Sequence, residues 1–187
     1  MRRFINNEDI LITYQLFADQ AVARYNETGQ VPPQLFVVTL AKEAGKFELI
    51  GEIPSTVVAN FYENNTGKNK LINWIHQLLN EGSRVRHSMS SAGLLLPDLV
   101  IHVSEAWVKK LQAEPGSTSE DVAKSYGESG ISNEPDKEEA IIVAIHFQDG
   151  SEIGFCPINK GFATFASINQ SVKLTGRFIR TNKQTQH

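Results

Sequence analysis

The chain has 187 residues, of which 41% are hydrophobic and 21% are charged, and its formal net charge is −3. This balance excludes collagen-like, disulfide-rich and wholly disordered chains. A domain of this length buries enough apolar surface to fold without disulfides or a structural metal. We therefore predict a single domain over residues 1–187 that holds neither a cofactor nor a metal.

The cysteine content and the lack of targeting segments predict a soluble protein of the cytoplasm. Cys156 is the single cysteine, so neither an intramolecular disulfide nor a Cys-based zinc site can form. The N-terminal residues lack the apolar core and the small-residue cleavage site of a signal peptide. No apolar run reaches the ~20 residues of a transmembrane helix, so we expect no membrane partner.

Charge is distributed unevenly along the chain. Residues 111–139 contain eight acidic and two basic residues, whereas residues 153–187 contain five lysines and arginines and no acidic residue. Within the acidic region, residues 112–137 are rich in Pro, Gly and Ser, which predicts a flexible loop. Residues 181–187 predict a polar tail.

The first predicted element is a long amphipathic helix. Asn6 or Asn7 can cap its start, and Gly29 can end it. The apolar residues recur at spacings of three and four, which places them on one face of the helix. These residues are Ile10, Tyr14, Phe17, Ala21 and Tyr25.

A hairpin and a second helix are predicted next. Residues 35–42 and 46–53 are predicted to form antiparallel strands, because the alternation of apolar and polar side chains in the second strand leaves one of its faces polar. Strict alternation in that strand predicts an apolar face with Phe47, Leu49 and Ile53. The polar face is predicted to carry Lys46, Glu48 and Glu52. The second helix is predicted over residues 66–80, with a packed stripe of Leu71, Ile75 and Leu78.

The remaining strands follow in the second half of the chain. Residues 99–108 begin with side chains that are apolar on both faces, which indicates a central strand. Residues 139–147 and 152–158 form the clearest hairpin, because Asp149-Gly150 accepts the positive φ values of a two-residue turn. Two further strands are predicted over residues 161–168 and 172–180.

The resulting order of elements is α-β-β-α-β, a long loop, and β-β-β-β. This order indicates an α+β domain. We predict a mostly antiparallel sheet with the two main helices packed on one of its faces.

The segment around His102 is the first candidate for chemistry. In a strand, His102 and Ser104 point to one face, whereas Glu105 shares the other face with apolar neighbours. If this strand pairs with the one that carries His146, the two histidines and the serine line one surface. A hydrolytic site would use His102, Ser104, Glu105 and His146, although no nucleophile-elbow motif surrounds the serine. A purely structural role, in the core or on the surface, explains the presence of each of these four residues equally well.

Candidate binding residues lie elsewhere. Arg84 and Arg86 follow the second helix and can hold a phosphate or carboxylate, although such residues are also typical of a solvated loop. Trp107 lies at the end of the predicted central strand. Arg177 and Arg180 belong to the acid-free C-terminal region, but a nucleic-acid-binding domain usually carries a basic overall charge. The common phosphate, dinucleotide and zinc-protease motifs are absent from the sequence.

These observations predict a non-enzymatic binding or accessory module. We expect a protein partner or a small ligand in a cleft between the second helix and the central strands, near His102, Glu105 and Trp107. A small hydrolase built on the His/Ser/Glu residues is the enzymatic alternative. Weak nucleic-acid binding through Arg177 and Arg180 is a further alternative. A homodimer formed through a sheet edge is compatible with each of these.

Overall fold

The structure is a computed structural model that describes residues 5–41, 46–62, 65–81, 97–108 and 137–168. The chain forms, in order, α1 (Asn7–Thr28), β1 (Gln34–Leu40), β2 (Phe47–Ile53), α2 (Ser55–Ala59), α3 (Asn65–Glu81), β3 (Leu99–Val108), β4 (Glu138–Phe147), β5 (Gly150–Asn159) and β6 (Phe162–Ala163). The predicted residues outside these ranges are Arg84, Arg86, Arg177 and Arg180, together with the predicted strand 172–180, the tail 181–187 and almost all of the loop 112–137.

The strands form one sheet in the order β2-β1-β3-β4-β5-β6, and all neighbouring pairs are antiparallel. The fold is therefore α+β with an antiparallel sheet, as predicted. The first six residues of β3 are all buried, and β3 lies between β1 and β4, which confirms the predicted central strand. No helix in the described ranges is long and apolar enough to cross a membrane.

Helix α1 begins and ends where the sequence places its signals. The side chain of Asn6 accepts a hydrogen bond from the backbone N–H of Asp9 at 2.8 Å, and the Asp9 carboxylate accepts one from the N–H of Asn6 at 3.4 Å. This reciprocal capping box supplies acceptors for backbone donors that a helix start leaves free. Gly29 ends the helix with φ 75°, and its N–H donates to the carbonyl of Tyr25 at 2.7 Å.

The two main helices cover opposite faces of the sheet. Helix α1 packs on the face that carries Leu99, Ile101 and Val103, and we call this cluster the α1 core. Helices α2 and α3 pack on the other face, where Val100 joins a second cluster, the α3 core. The expectation that both helices lie on one face is therefore wrong. The physical reason is that β3 is apolar on both sides, so each side needs its own cover.

Strand β2 does not alternate strictly, because it contains a bulge. Val37 of β1 pairs with Gly51 and Val38 pairs with Leu49, so Ile50 is an extra residue on β2. The bulge separates residues that the alternation placed on one face. Phe47 and Leu49 pair opposite α1-core positions of β1, whereas Ile53 packs against the α3 core and Glu52 pairs with Phe36.

The turns of the second half also differ from the prediction. Gln148 and Asp149 form the two-residue loop between β4 and β5, and neither they nor Gly150 has a positive φ. Positive φ values occur instead in the next hairpin, at Lys160 (52°) and Gly161 (76°). After that turn the strand is short, because residues 164–168 leave the ladder and pass beside α1.

Tyr14 fixes the position of α1 over β5. Its hydroxyl donates to the carbonyl of Ala166 at 2.7 Å and lies 3.7 Å from the sulfur of Cys156. Its ring occupies the space above Gly154, where a Cβ would overlap the ring atoms. The absence of a side chain at Gly154 therefore allows the helix to approach the sheet at this point.

We expect Gly154→Ala to lower the free energy of unfolding by about 2–3 kcal/mol, because the added methyl group overpacks a buried contact. Chemical denaturation measures this cost. In the Tyr14→Leu background the same substitution is expected to cost much less, since the smaller side chain makes room. An equal cost in both backgrounds would contradict this account of the contact.

Candidate functional site

Two histidines lie side by side on the sheet face that α3 covers. In the β3–β4 ladder, His146 pairs with Val100 and His102 pairs with Ala144, so the two rings are diagonal neighbours on one face. Their centroids are 6.5 Å apart and the ring planes differ by 25°. Both side chains are buried, at 1% and 2% exposure. The two strands therefore pair, which the sequence left as a condition, but the histidines do not line an open surface.

A hydrogen-bonded chain of neutral groups reaches His102. Ser104, on the same face of β3, is hydrogen-bonded to the hydroxyl of Tyr62, and Tyr62 is hydrogen-bonded to Nε2 of His102. Burial raises the pKa of Tyr62, so the phenol keeps its proton. Tyr62 follows α2, and its ring packs edge-on against that of His102 at a centroid distance of 5.9 Å. This chain orients His102 and stabilises the neutral ring.

The protein interior keeps both imidazoles neutral. Burial, and then the nearby His146, lowers the pKa of His102 from its ordinary 6.5 to about 3. Burial, and then His76 of α3, lowers the pKa of His146 to about 4. Within the described residues, Nε2 of His146 and Oγ of Ser151, which is directly opposite it on β5, have no hydrogen-bond partner. The pair can therefore act as neutral hydrogen-bonding groups at neutral pH.

Glu105 and Trp107 do not join the histidines. Both lie on the opposite, α1 side of β3, where a Glu105 carboxylate oxygen accepts a hydrogen bond from the backbone N–H of Val31. Trp107 is 44% exposed, and the ammonium group of Lys137 lies 4.4 Å from its ring centroid. The structure thus divides the predicted His/Ser/Glu group between two faces. It does not form the predicted cleft near His102, Glu105 and Trp107.

The single cysteine is buried, and the remaining predicted site residues lie outside the described ranges. Cys156 is a buried free cysteine against Tyr14. No group of three or more His, Cys, Asp or Glu in the described residues is arranged to hold a metal ion. The predicted binding residues Arg84, Arg86, Arg177 and Arg180 lie outside the described ranges.

A cavity lies between α1 and the β1–β2 end of the sheet, and we call it the groove. Its volume is about 270 Å³, near the lower end for small-ligand sites. Apolar side chains from α1, β1, β3 and the loop before β1 line it: Phe17, Ala21, Val31, Phe36 and Val103. Polar side chains complete the lining: Gln20, Arg24, Gln34 and Glu52.

A neutral amide connects the two charged groups of the groove. Nη1 of Arg24 donates to Oε1 of Gln34 at 3.0 Å, and Nε2 of Gln34 donates to Oε1 of Glu52 at 2.6 Å. Arg24 and Glu52 make no ion pair with any described residue. The groove therefore presents one positive and one negative group on either side of a fixed amide.

Only some of the residues that line this groove could be located from the sequence. Arg24 lies seven residues after Phe17, which places it beside the apolar stripe of α1. Glu52 was expected on the polar face of a strictly alternating strand, and the bulge at Ile50 brings it opposite Phe36. The contact of Tyr62 with His102 could not be predicted, because the two residues are distant in sequence.

Comparisons of the chain with models of protein families, with curated proteins and with solved structures found no match. The function is therefore inferred from the geometry of the buried histidine pair and of the groove.

We expect the resonances of two histidines not to titrate between pH 8 and pH 5 in an NMR titration of the imidazole Cε1–H signals. Because the folded pKa values of His102 and His146 lie below 6.5, their contribution to stability is complete above pH 6.5 and is lost as the pH falls towards 4. At pH 5 the loss is about 2 kcal/mol for each histidine, which denaturant unfolding at pH 7.5 and pH 5 measures. Normal titration of every histidine near pH 6.5 would contradict the burial of the pair.

Proposed function

We propose that this protein is a non-enzymatic binding or accessory module, and that its binding site is the groove between α1 and β1. The observation that carries this proposal is the arrangement of the groove: apolar and polar side chains line it together, and the polar ones include the hydrogen-bonded series Arg24, Gln34 and Glu52. An apolar pocket with a few convergent polar groups is the usual form of a small-ligand site.

The small volume of the groove favours a small apolar group over an extended surface contact. The rings of Phe17 and Phe36 lie with centroids 4.9 Å apart, and Phe17 also packs against Phe47 at 6.0 Å. These contacts hold the apolar wall in place without a ligand, so binding requires little reorganisation. The occupant is then a small ligand, or one side chain of a protein partner.

The hydrolase alternative has weaker geometric support. A serine nucleophile needs a base in reach and access to a substrate. Ser104 is 4% exposed and lies under α3 with the histidines, whereas Glu105 is on the other side of the sheet. A structural role as a polar part of the core explains the buried histidine pair better than a hydrolytic site does.

The proposal predicts that N-acetylphenylalaninamide, a neutral compound with one aromatic side chain, binds in the groove. In ¹⁵N–¹H NMR titrations we expect shifts of the Ala21, Val31 and Val103 amides, with a dissociation constant on the order of 1 mM. Gln20→Trp places a large ring in the groove and is expected to abolish these shifts.

Gln15→Trp is the matched control, because Gln15 is an exposed glutamine of the same helix that does not line the groove. It should leave the titration unchanged. Shifts that spread over the whole surface, or that survive Gln20→Trp, would overturn the assignment of the site.

A further inference from the structure

The groove has a charge pattern that selects among small apolar ligands. Arg24 comes from α1 and Glu52 from β2, so the two charges approach the groove from different elements. Each makes its hydrogen bond to neutral Gln34, and neither is neutralised by an ion pair within the described residues. A ligand with a single charge would gain one attraction and meet one repulsion there.

We propose that the groove binds a free α-amino acid with an apolar side chain, as a zwitterion. In this arrangement the carboxylate pairs with the guanidinium of Arg24, and the ammonium group pairs with the carboxylate of Glu52. The side chain enters the apolar part of the groove beside Phe17 and Phe36. This inference rests on the proposed function, since it names the class of ligand for the same site.

Gln34 has a positioning role in this arrangement. Its amide oxygen is bonded to Arg24 and its amide nitrogen to Glu52, so its orientation is fixed from both ends. It therefore connects the two charged groups, which do not pair directly with each other. A guanidinium can bind a carboxylate with two parallel hydrogen bonds, so Arg24 retains donors for a ligand while it bonds to Gln34.

The volume of the groove fits the size of this ligand class. A cavity of about 270 Å³ is smaller than the usual site for a drug-sized molecule. One apolar side chain with its backbone atoms is therefore a better match than a nucleotide or a larger cofactor.

The test uses four probes that share one side chain and differ only in charge. They are phenylalanine (zwitterion), N-acetylphenylalanine (anion), phenylalaninamide (cation) and N-acetylphenylalaninamide (neutral), titrated at pH 7 with NMR detection. Each exposed ion pair contributes a factor of up to about five in affinity, so phenylalanine is expected to bind roughly tenfold more tightly than the neutral probe.

Two charge-neutral variants assign the two ends of the ligand. Glu52→Gln is expected to weaken phenylalanine and phenylalaninamide about threefold, and to strengthen N-acetylphenylalanine because it removes the repulsion on that anion. Arg24→Gln is expected to weaken phenylalanine and N-acetylphenylalanine by a similar factor, and to strengthen phenylalaninamide because it removes the repulsion on that cation. Both substitutions are at exposed positions, and the dispersion of the amide spectrum reports that each variant is folded.

The outcomes separate this inference from the proposed function. If the neutral probe binds in the groove and phenylalanine binds no better, the binding module stands and the zwitterion assignment is overturned. If none of the four probes shifts the groove amides, both fail. A preference for phenylalanine that survives both charge-neutral variants would also overturn the assignment.

Discussion

The fold depends on the fact that the central strands are apolar on both faces. Residues 99–104 of β3 are all buried, and β4 buries both its even and its odd positions along much of its length. Because successive side chains of a strand point to opposite sides, a layer on one side alone would leave half of these residues in water. The sheet therefore needs α1 on one face and α2 with α3 on the other.

The two faces then differ in the polar groups that they contain. On the α3 side, His102, Ser104 and His146 are enclosed, and Tyr62 supplies a hydrogen bond that partly offsets the cost of burying them. On the α1 side, polar groups stay near the margin of the helix, where Arg24 and Glu52 flank the apolar groove. The enclosed groups set how stability depends on pH, and the marginal groups line the groove that we propose as the ligand site.

Local patterns predicted most of the elements but few of their long-range contacts. The cap at Asn6, the stop at Gly29 and the apolar β3 follow from short-range rules, and the structure agrees with them. The pairing of the two histidine strands remained a condition, because apolar faces on two strands do not determine which strands become neighbours. The bulge at Ile50 could not be predicted, since nothing in an alternating sequence marks an extra residue. The groove depends on that bulge, so sequence periodicity alone could not locate it.

Native-state hydrogen exchange tests most directly whether the central strands depend on both helical layers. We predict that the amides of Ile101 in β3 and Val143 in β4 exchange only through global unfolding, with an opening free energy equal to the global stability at every denaturant concentration. The side chains of both residues are fully buried, with 0% exposure. The amides of α3 are expected to show the same opening free energy, because the sheet cannot keep its structure without that layer. If the α3 amides instead exchange through a smaller opening that leaves Ile101 and Val143 protected, the sheet does not need both layers and the account is contradicted.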